Sequence, residues 1–172
     1  TVGWLIFGMM SAFGVGFLAI IARVCGAGDR EAARRAAGQA VLVTLVVGTA
    51  FTALPLALSG SIPAWMQVEA DIRPLASSYF FILYLPMLPR TASAIFGSVL
   101  RAAGDTKTPM MVGVLVNFIN IPMNFLLIYP TRSATIFSHS FTIPGAGLGV
   151  VGAAAASAIA YTWGGLHISW AL

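Results

Sequence analysis

Charge is scarce in this sequence. Only 8% of its 172 residues are charged, nine of them basic and five acidic, where a soluble domain carries roughly 25%. So few charges cannot clothe a water-soluble surface on a chain of this length, and a soluble globular fold is excluded. Cysteine is scarcer still. Cys25 stands alone, so no disulfide can form within the chain and no thiolate metal spacing exists. The two histidines, His139 and His167, are isolated from each other and from any metal-ligand companion. No nucleophile–base pair or phosphate-binding loop is present, and a membrane enzyme would need an intramembrane His, Asp, Glu or Cys cluster. The expectation is therefore a protein that is not an enzyme and carries no organic cofactor or metal. Thr1 opens the sequence without the basic, apolar and small-residue order of a signal peptide. Both ends run directly into apolar sequence, which reads as a segment of a longer protein.

What is present is hydrophobicity, at 59% of residues with a mean hydropathy of +0.92. The isoelectric point near 9.8 would suggest nucleic acid as a partner for a soluble protein. Here the basic residues gather in short connections between apolar runs, which is a membrane-topology signal, so no nucleic-acid partner is expected. A bilayer span needs about 20 mostly apolar residues. Five such runs are predicted, near residues 3–22, 38–62, 75–100, 109–129 and 147–167. The fold class is all-α, a polytopic membrane helix bundle.

The connections set an orientation. The first carries Arg23, Arg30, Arg34 and Arg35, the second Arg73, the third Arg101 and Lys107, the fourth Arg132, with His139 beside it. Basic residues thus alternate between rich and poor connections, so the first and third are expected to face the cytoplasm. Two connections also carry cap chemistry. Gly26-Ala27-Gly28-Asp29 ends the first span and offers Asp29 as N-cap to a short Arg-rich helix. Before the fourth span, Thr108 can cap and Pro109 suits the first helical position.

The fourth run holds the clearest polar pattern. Asn117, Asn120 and Asn124 fall at i, i+3 and i+7, which places them on one helical face. Amides cannot point at lipid tails without leaving costly unpaired groups, so this face looks at other helices or at a watery cavity. Interhelical packing and a substrate or ion lining both satisfy that requirement. Pro122 lies inside the same helix and removes one backbone hydrogen bond near Phe118. The third run holds Tyr84, Pro86, Pro89 and Arg90. Arg90 lies eleven residues before Arg101, or about 16 Å along a helix. At that depth its guanidinium needs either the carbonyls released by Pro86 and Pro89 or a cavity. In the fifth run Gly152, Ala156 and Ala160, and Gly149, Ala153 and Ser157, form two small-residue series suited to close helix packing. Gly8, Ala12 and Gly16 form another in the first run. No Asp or Glu lies inside a predicted span, although ion-driven transporters usually bind their ion at an intramembrane carboxylate.

These motifs carry a resemblance. Arg101-Ala102-Ala103-Gly104-Asp105-Thr106-Lys107-Thr108-Pro109, followed by Asn120 and Asn124, resembles a hairpin and its next helix in the multidrug and toxic compound extrusion (MATE) family. The stretch from Gly149 to Ser157 looks like that family's following helix, and Arg23 to Gln39 is similar to its first cytoplasmic loop. The resemblance implies five helices of a six-helix MATE lobe, with residues 1–172 a partial N-terminal lobe of a twelve-helix transporter. It implies an antiporter exporting small cationic amphipathic substrates in exchange for H+ or Na+ by alternating access. The first helix, with its coupling carboxylate, and the C-terminal lobe would be partners from outside this sequence. The lipid bilayer, most simply a bacterial inner (plasma) membrane, would be the setting. Carried over by position, the family's cavity residues are Asn120, Asn124 and Ser157; some members have Asp where Asn124 stands and Thr where Ser157 stands. Arg90 falls outside the family pattern. It favours the rival reading of a lipid-linked oligosaccharide flippase of the same superfamily, whose cavity must hold a phosphate. A third reading, a non-catalytic membrane scaffold, treats the asparagines as packing only.

Overall fold

The computed structural model describes residues 2–136 and 139–172. Among them, α1 (Val2–Gly26), α2 (Arg30–Leu58), α3 (Ile62–Trp65), α4 (Arg73–Tyr84), α5 (Met87–Ala102), α6 (Lys107–Ile128) and α7 (Gly149–Ala171) surround one another as a bundle. Between α6 and α7 the chain forms a hairpin of β1 (Pro130–Ile136) and β2 (His139–Ala146). Helices α1, α2, α6 and α7 are each long and apolar enough to cross a bilayer, and α4 with α5 makes a fifth, broken span. Large apolar side chains such as Val46, Phe118, Ile121 and Leu166 point outward. That surface suits lipid and would be unstable in water. The chain is an integral membrane protein.

Three elements differ from the sequence-based expectation, each for a local reason. The Arg-rich helix and the second span are one helix. Asp29 Oδ1 accepts from the Ala32 amide at 2.9 Å and starts α2 at Arg30. From there Arg30 to Ala37 contains only good helix formers, and Glu31 pairs with Arg35 at 2.7 Å one turn on, so nothing interrupts the run into the apolar stretch. The third span, expected to be continuous over 75–100, breaks at Leu85–Pro86, and its halves meet at a 41° bend. Pro86 has no amide to give to the preceding turn, and Pro89 removes a second bond.

The fourth connection, expected as a plain loop, is an antiparallel hairpin pairing Pro130 with Ala146 and Ile136 with His139. An irregularity between Pro130 and Arg132 is closed by Thr131, whose hydroxyl accepts from the Gly145 amide at 3.2 Å. The side chains of Arg132 and His139 lie outside the described residues.

Helix α5 is the axis of the bundle. Every residue from Ile95 to Leu100 is buried, packed with Ile21 of α1, Ala36 and Ala40 of α2, Val112 of α6 and Ile168 of α7. Its neighbours approach it through glycine. A Cβ at Gly165 of α7 would fall on the Pro89 carbonyl of α5, and one at Gly48 of α2 would lie 2.6 Å from the Leu88 side chain. Helix α7 meets α6 in the same way, because a Cβ at Gly152 would fall on the Leu127 carbonyl. Of the two small-residue series in α7, the one through Gly152, Ala156 and Ala160 is buried throughout. The stripe in α1 does not pack as expected: nothing lies within 4 Å of a Cβ added at Gly8 or Gly16.

The turn before α6 is held by Asp105 rather than by Thr108. Its Oδ1 accepts from the amides of Lys107 and Thr108, both at 3.0 Å, and its Oδ2 accepts from the Thr108 hydroxyl at 2.6 Å. Pro109 is consequently the third helical residue, not the first.

Two outcomes follow from this packing and this turn. Gly152→Val forces a side chain into the α6 backbone and is expected to cost at least about 1–3 kcal/mol, whereas Gly8→Val is expected to be nearly neutral; unfolding in mixed detergent measures both. The hydrogen bonds from Thr108 hold the Asp105 carboxyl below its ordinary range. A carboxyl depressed by folding contributes stability above its unfolded pKa and loses it as pH falls through the folded value. Asp105→Ala should therefore lower the melting temperature at neutral pH, and the gap from the parent should close in acid.

Candidate functional site

The α6–α7 seam carries a chain of polar groups. Asn124 donates through Nδ2 to Asn120 Oδ1 at 2.7 Å, and Asn120 donates through Nδ2 to Ser157 Oγ on α7 at 3.3 Å. All three side chains are half-buried. The i, i+4 spacing of Asn120 and Asn124 stacks one amide above the other, and the close approach at Gly152 brings Ser157 within their reach. Asn117 does not join them. It is exposed and returns its amide to the Gly113 carbonyl of its own helix at 3.0 Å. Helix α6 runs through Pro122 without ending.

Ser157 also lines an open cavity of about 430 Å³ bordered by α1, α4, α5 and α7. Tyr84 and Arg90 line the same space, so the structure brings together three of the six residues singled out by sequence and links Asn120 and Asn124 to them through Ser157. The cavity sits at the break of the third span. Tyr84 closes α4, Arg90 stands in the first turn of α5, and the bend turns both toward α1 and α7. Tyr84 is 2% exposed and stacks on Phe80 at 5.7 Å between centroids. Arg90 does not turn to the carbonyls released by the two prolines. Its guanidinium carbon lies 4.4 Å from the ring centroid of Tyr161 on α7, a cation–π contact. A second cavity of about 480 Å³ lies between α2, α5 and α7 and is almost wholly apolar.

Sequence reasoning missed Tyr161, Trp4 and Phe7, which also line the first cavity. A signal for Tyr161 existed, since it follows Ser157 by four residues and so shares its helical face. Trp4 and Phe7 share a face of α1 at i, i+3, but nothing local distinguishes a cavity wall from a lipid-facing stripe.

A bundle of spans with a mostly apolar cavity that carries a few polar groups at a broken helix is the architecture of a membrane transporter, in which discontinuous helices form the central site. The sequence profile of the MatE family matches residues 1–126. The chain belongs to that family, which is one of membrane transporters and not of enzymes. It is 32% identical over 126 residues to the probable multidrug resistance protein NorM of Thermotoga maritima, covering 73% of this chain and 27% of that protein. It is 24% identical over 160 residues to the human multidrug and toxin extrusion protein 1, covering 93% of this chain and 27% of that one. Its structure resembles the inward-facing conformation of a multidrug resistance MATE family transporter of the MOP superfamily, with a TM-score of 0.82 and 27% identity. That likeness covers 97% of this chain and 34% of the other. The chain thus spans about a quarter of the length of the relatives it matches. The bacterial relatives fit an inner-membrane location.

The polar seam gives a measurable ordering. Ser157→Ala removes one contact, at about 0.6 kcal/mol for a hydrogen bond between membrane helices. Asn120→Ala removes two and strands the Asn124 amide, so it should cost at least twice as much. A double-mutant cycle of the two, measured by unfolding in bicelles, should show coupling.

Proposed function

We propose that this chain forms one wall of the substrate cavity of a secondary active efflux antiporter, as a partial N-terminal lobe. The observation that carries this reading is the cavity at the α4–α5 break, with Tyr84, Arg90 and Ser157 on its walls and the Asn120–Asn124 pair behind Ser157. Relatives named for multidrug resistance and for multidrug and toxin extrusion support it. The substrates are small amphipathic organic molecules, cationic ones foremost, and the exchanged ion is H+ or Na+.

The acidic residues of the chain lie in connections or, for Glu31, in the exposed first turn of α2. The coupling carboxylate would accordingly come from outside these spans. Here the Asn124–Asn120–Ser157 chain would serve as a neutral relay of hydrogen-bond donors and acceptors on the substrate side. The two lobes would alternate access around this site, and the ion and the substrate would each bias the equilibrium by their differential affinity for its two states. The connections rich in Arg and Lys, before α2 and α6, would face the cytoplasm. The flippase reading draws on Arg90 alone, whereas the family assignment and the aromatic walls favour export of compact amphiphiles.

Everted membrane vesicles from cells producing the protein test the reading. A fluorescent amphipathic cation should accumulate when a proton or sodium gradient is imposed and should be released when that gradient is collapsed. Asn120→Ala in stably inserted protein should slow accumulation by about tenfold, the loss of roughly 1.4 kcal/mol. Accumulation that ignores both gradients would overturn the antiport assignment, and unimpaired transport by the variant would leave the asparagines as packing.

A further inference from the structure

The guanidinium of Arg90 is the one charge among the described residues lining the cavity, and no carboxylate of the described residues pairs with it. Its side chain is half-buried and donates none of the side-chain hydrogen bonds in the described structure. The contact it does make, with the face of Tyr161, satisfies the cation through the ring quadrupole while the ring face offers no lone pair to its N–H groups. A positioned, partly desolvated guanidinium with free donors is matched by a carboxylate, which it holds through two parallel hydrogen bonds. Tyr161 fixes the fork beforehand, so little order is lost when an anion arrives. The hydroxyl of Ser157 lines the same space, and Trp4, Phe7 and Met87 supply broad apolar walls suited to a flat hydrophobic body. Charge repulsion in a site of low polarity works against a simple monocation at this wall.

We propose that the cavity selects aromatic amphiphiles bearing a carboxylate, with Arg90 as the residue that recognises the acid group and Tyr161 as the residue that positions Arg90. This rests on the efflux reading above for transport itself and, within its small amphipathic molecules, moves the preference at this wall from simple cations to carboxylates. A carboxylate on a molecule that also carries an amine satisfies it as well as a simple anion does.

The test uses one fluorophore in three charge states: dansylglycine as the carboxylate, its methyl ester as the neutral form, and dansylcadaverine as the cation. Binding is followed by fluorescence with the purified protein in phosphatidylcholine nanodiscs. The parent protein should bind dansylglycine about tenfold more tightly than the ester. Arg90→Gln should erase that preference and should bind dansylcadaverine more tightly than the parent does. These opposite signs separate lost recognition from misfolding, which weakens every ligand. Arg90→Lys should keep part of the preference, because it retains the charge and loses the fork. Tyr161→Leu should weaken dansylglycine while leaving the order of the three ligands intact.

An equal loss for all three ligands in Arg90→Gln protein that keeps the parent's melting temperature would overturn the proposal, since it would mean that Arg90 pairs with a group of the protein itself. So would a preference that survives the substitution. Dansylglycine displaced by added phosphatidylglycerol in the parent, with Arg90→Gln insensitive, would assign the guanidinium to a lipid headgroup and overturn it too. In the vesicle assay, transport of dansylcadaverine without an Arg90-dependent preference for dansylglycine sinks this inference alone. Absence of gradient-driven transport for all three ligands sinks the efflux reading instead.

Discussion

Two glycines fix the position of α7, and the site depends on that position. Gly152 rests on the backbone of α6 and Gly165 rests on the backbone of α5. Contacts between backbones have little give, because no side chain lies between them to change rotamer. Held at both points, α7 can neither slide nor turn far, and Ser157 and Tyr161 lie on the stretch between them. One faces Asn120 and the other faces Arg90. In a membrane interior, helix association gains little from the hydrophobic effect and relies on close packing. The small-residue series in α7 therefore both holds the bundle together and aims the polar residues.

How far the sequence reveals this arrangement depends on the range of the interactions involved. Apolar run length is local and strong, so the spans were legible to within a few residues. The merging of the Arg-rich helix into α2 was not, because an apolar threshold marks where the bilayer starts, and helix formation in Arg30 to Ala37 does not depend on apolarity. The prolines at 86 and 89 announced a perturbed helix but not a break, since membrane helices often pass through proline, as α6 does at Pro122. The hairpin after α6 escaped notice although Ser133-Ala134-Thr135-Ile136 and Ser140-Phe141-Thr142-Ile143 each alternate polar and apolar residues, because four residues is the shortest run in which such alternation marks a strand. The asparagine face was visible from spacing alone. Which asparagine would find Ser157 depended on where α7 comes to rest, and the failure of Asn117 to join them has the same origin. Arg90 showed that it needed a partner; the partner lies 71 residues away on another helix.

The distribution of charge follows one rule. Ionised groups stand where water or a backbone turn can receive them: Asp29 and Asp105 cap helices, and Glu31 and Arg35 pair on the exposed start of α2. Arg90 departs from that rule. An arginine at the centre of a span costs at least about 2.5–3.5 kcal/mol on insertion scales, and the Tyr161 ring offsets only part of this, since a cation–π contact contributes about 0.5–2 kcal/mol. Within the apolar zone, retention of such a group is a mark of function more than of stability.

The break at Pro86 has a mechanical consequence. Tyr84 is the last residue of α4 and Arg90 lies in the first turn of α5, so the two sit on opposite arms of a joint that lacks a continuous ladder of backbone bonds. The α5 arm is anchored in the core by Ile95, Phe96 and Val99, while Tyr84 is held by Ile6 and Met10 of α1. A molecule that touched both Tyr84 and Arg90 would act as a brace across the joint, stiffening one angle between the arms at the expense of others. Thermodynamic reciprocity then requires that whatever changes the angle also changes the affinity for that molecule, by the same factor.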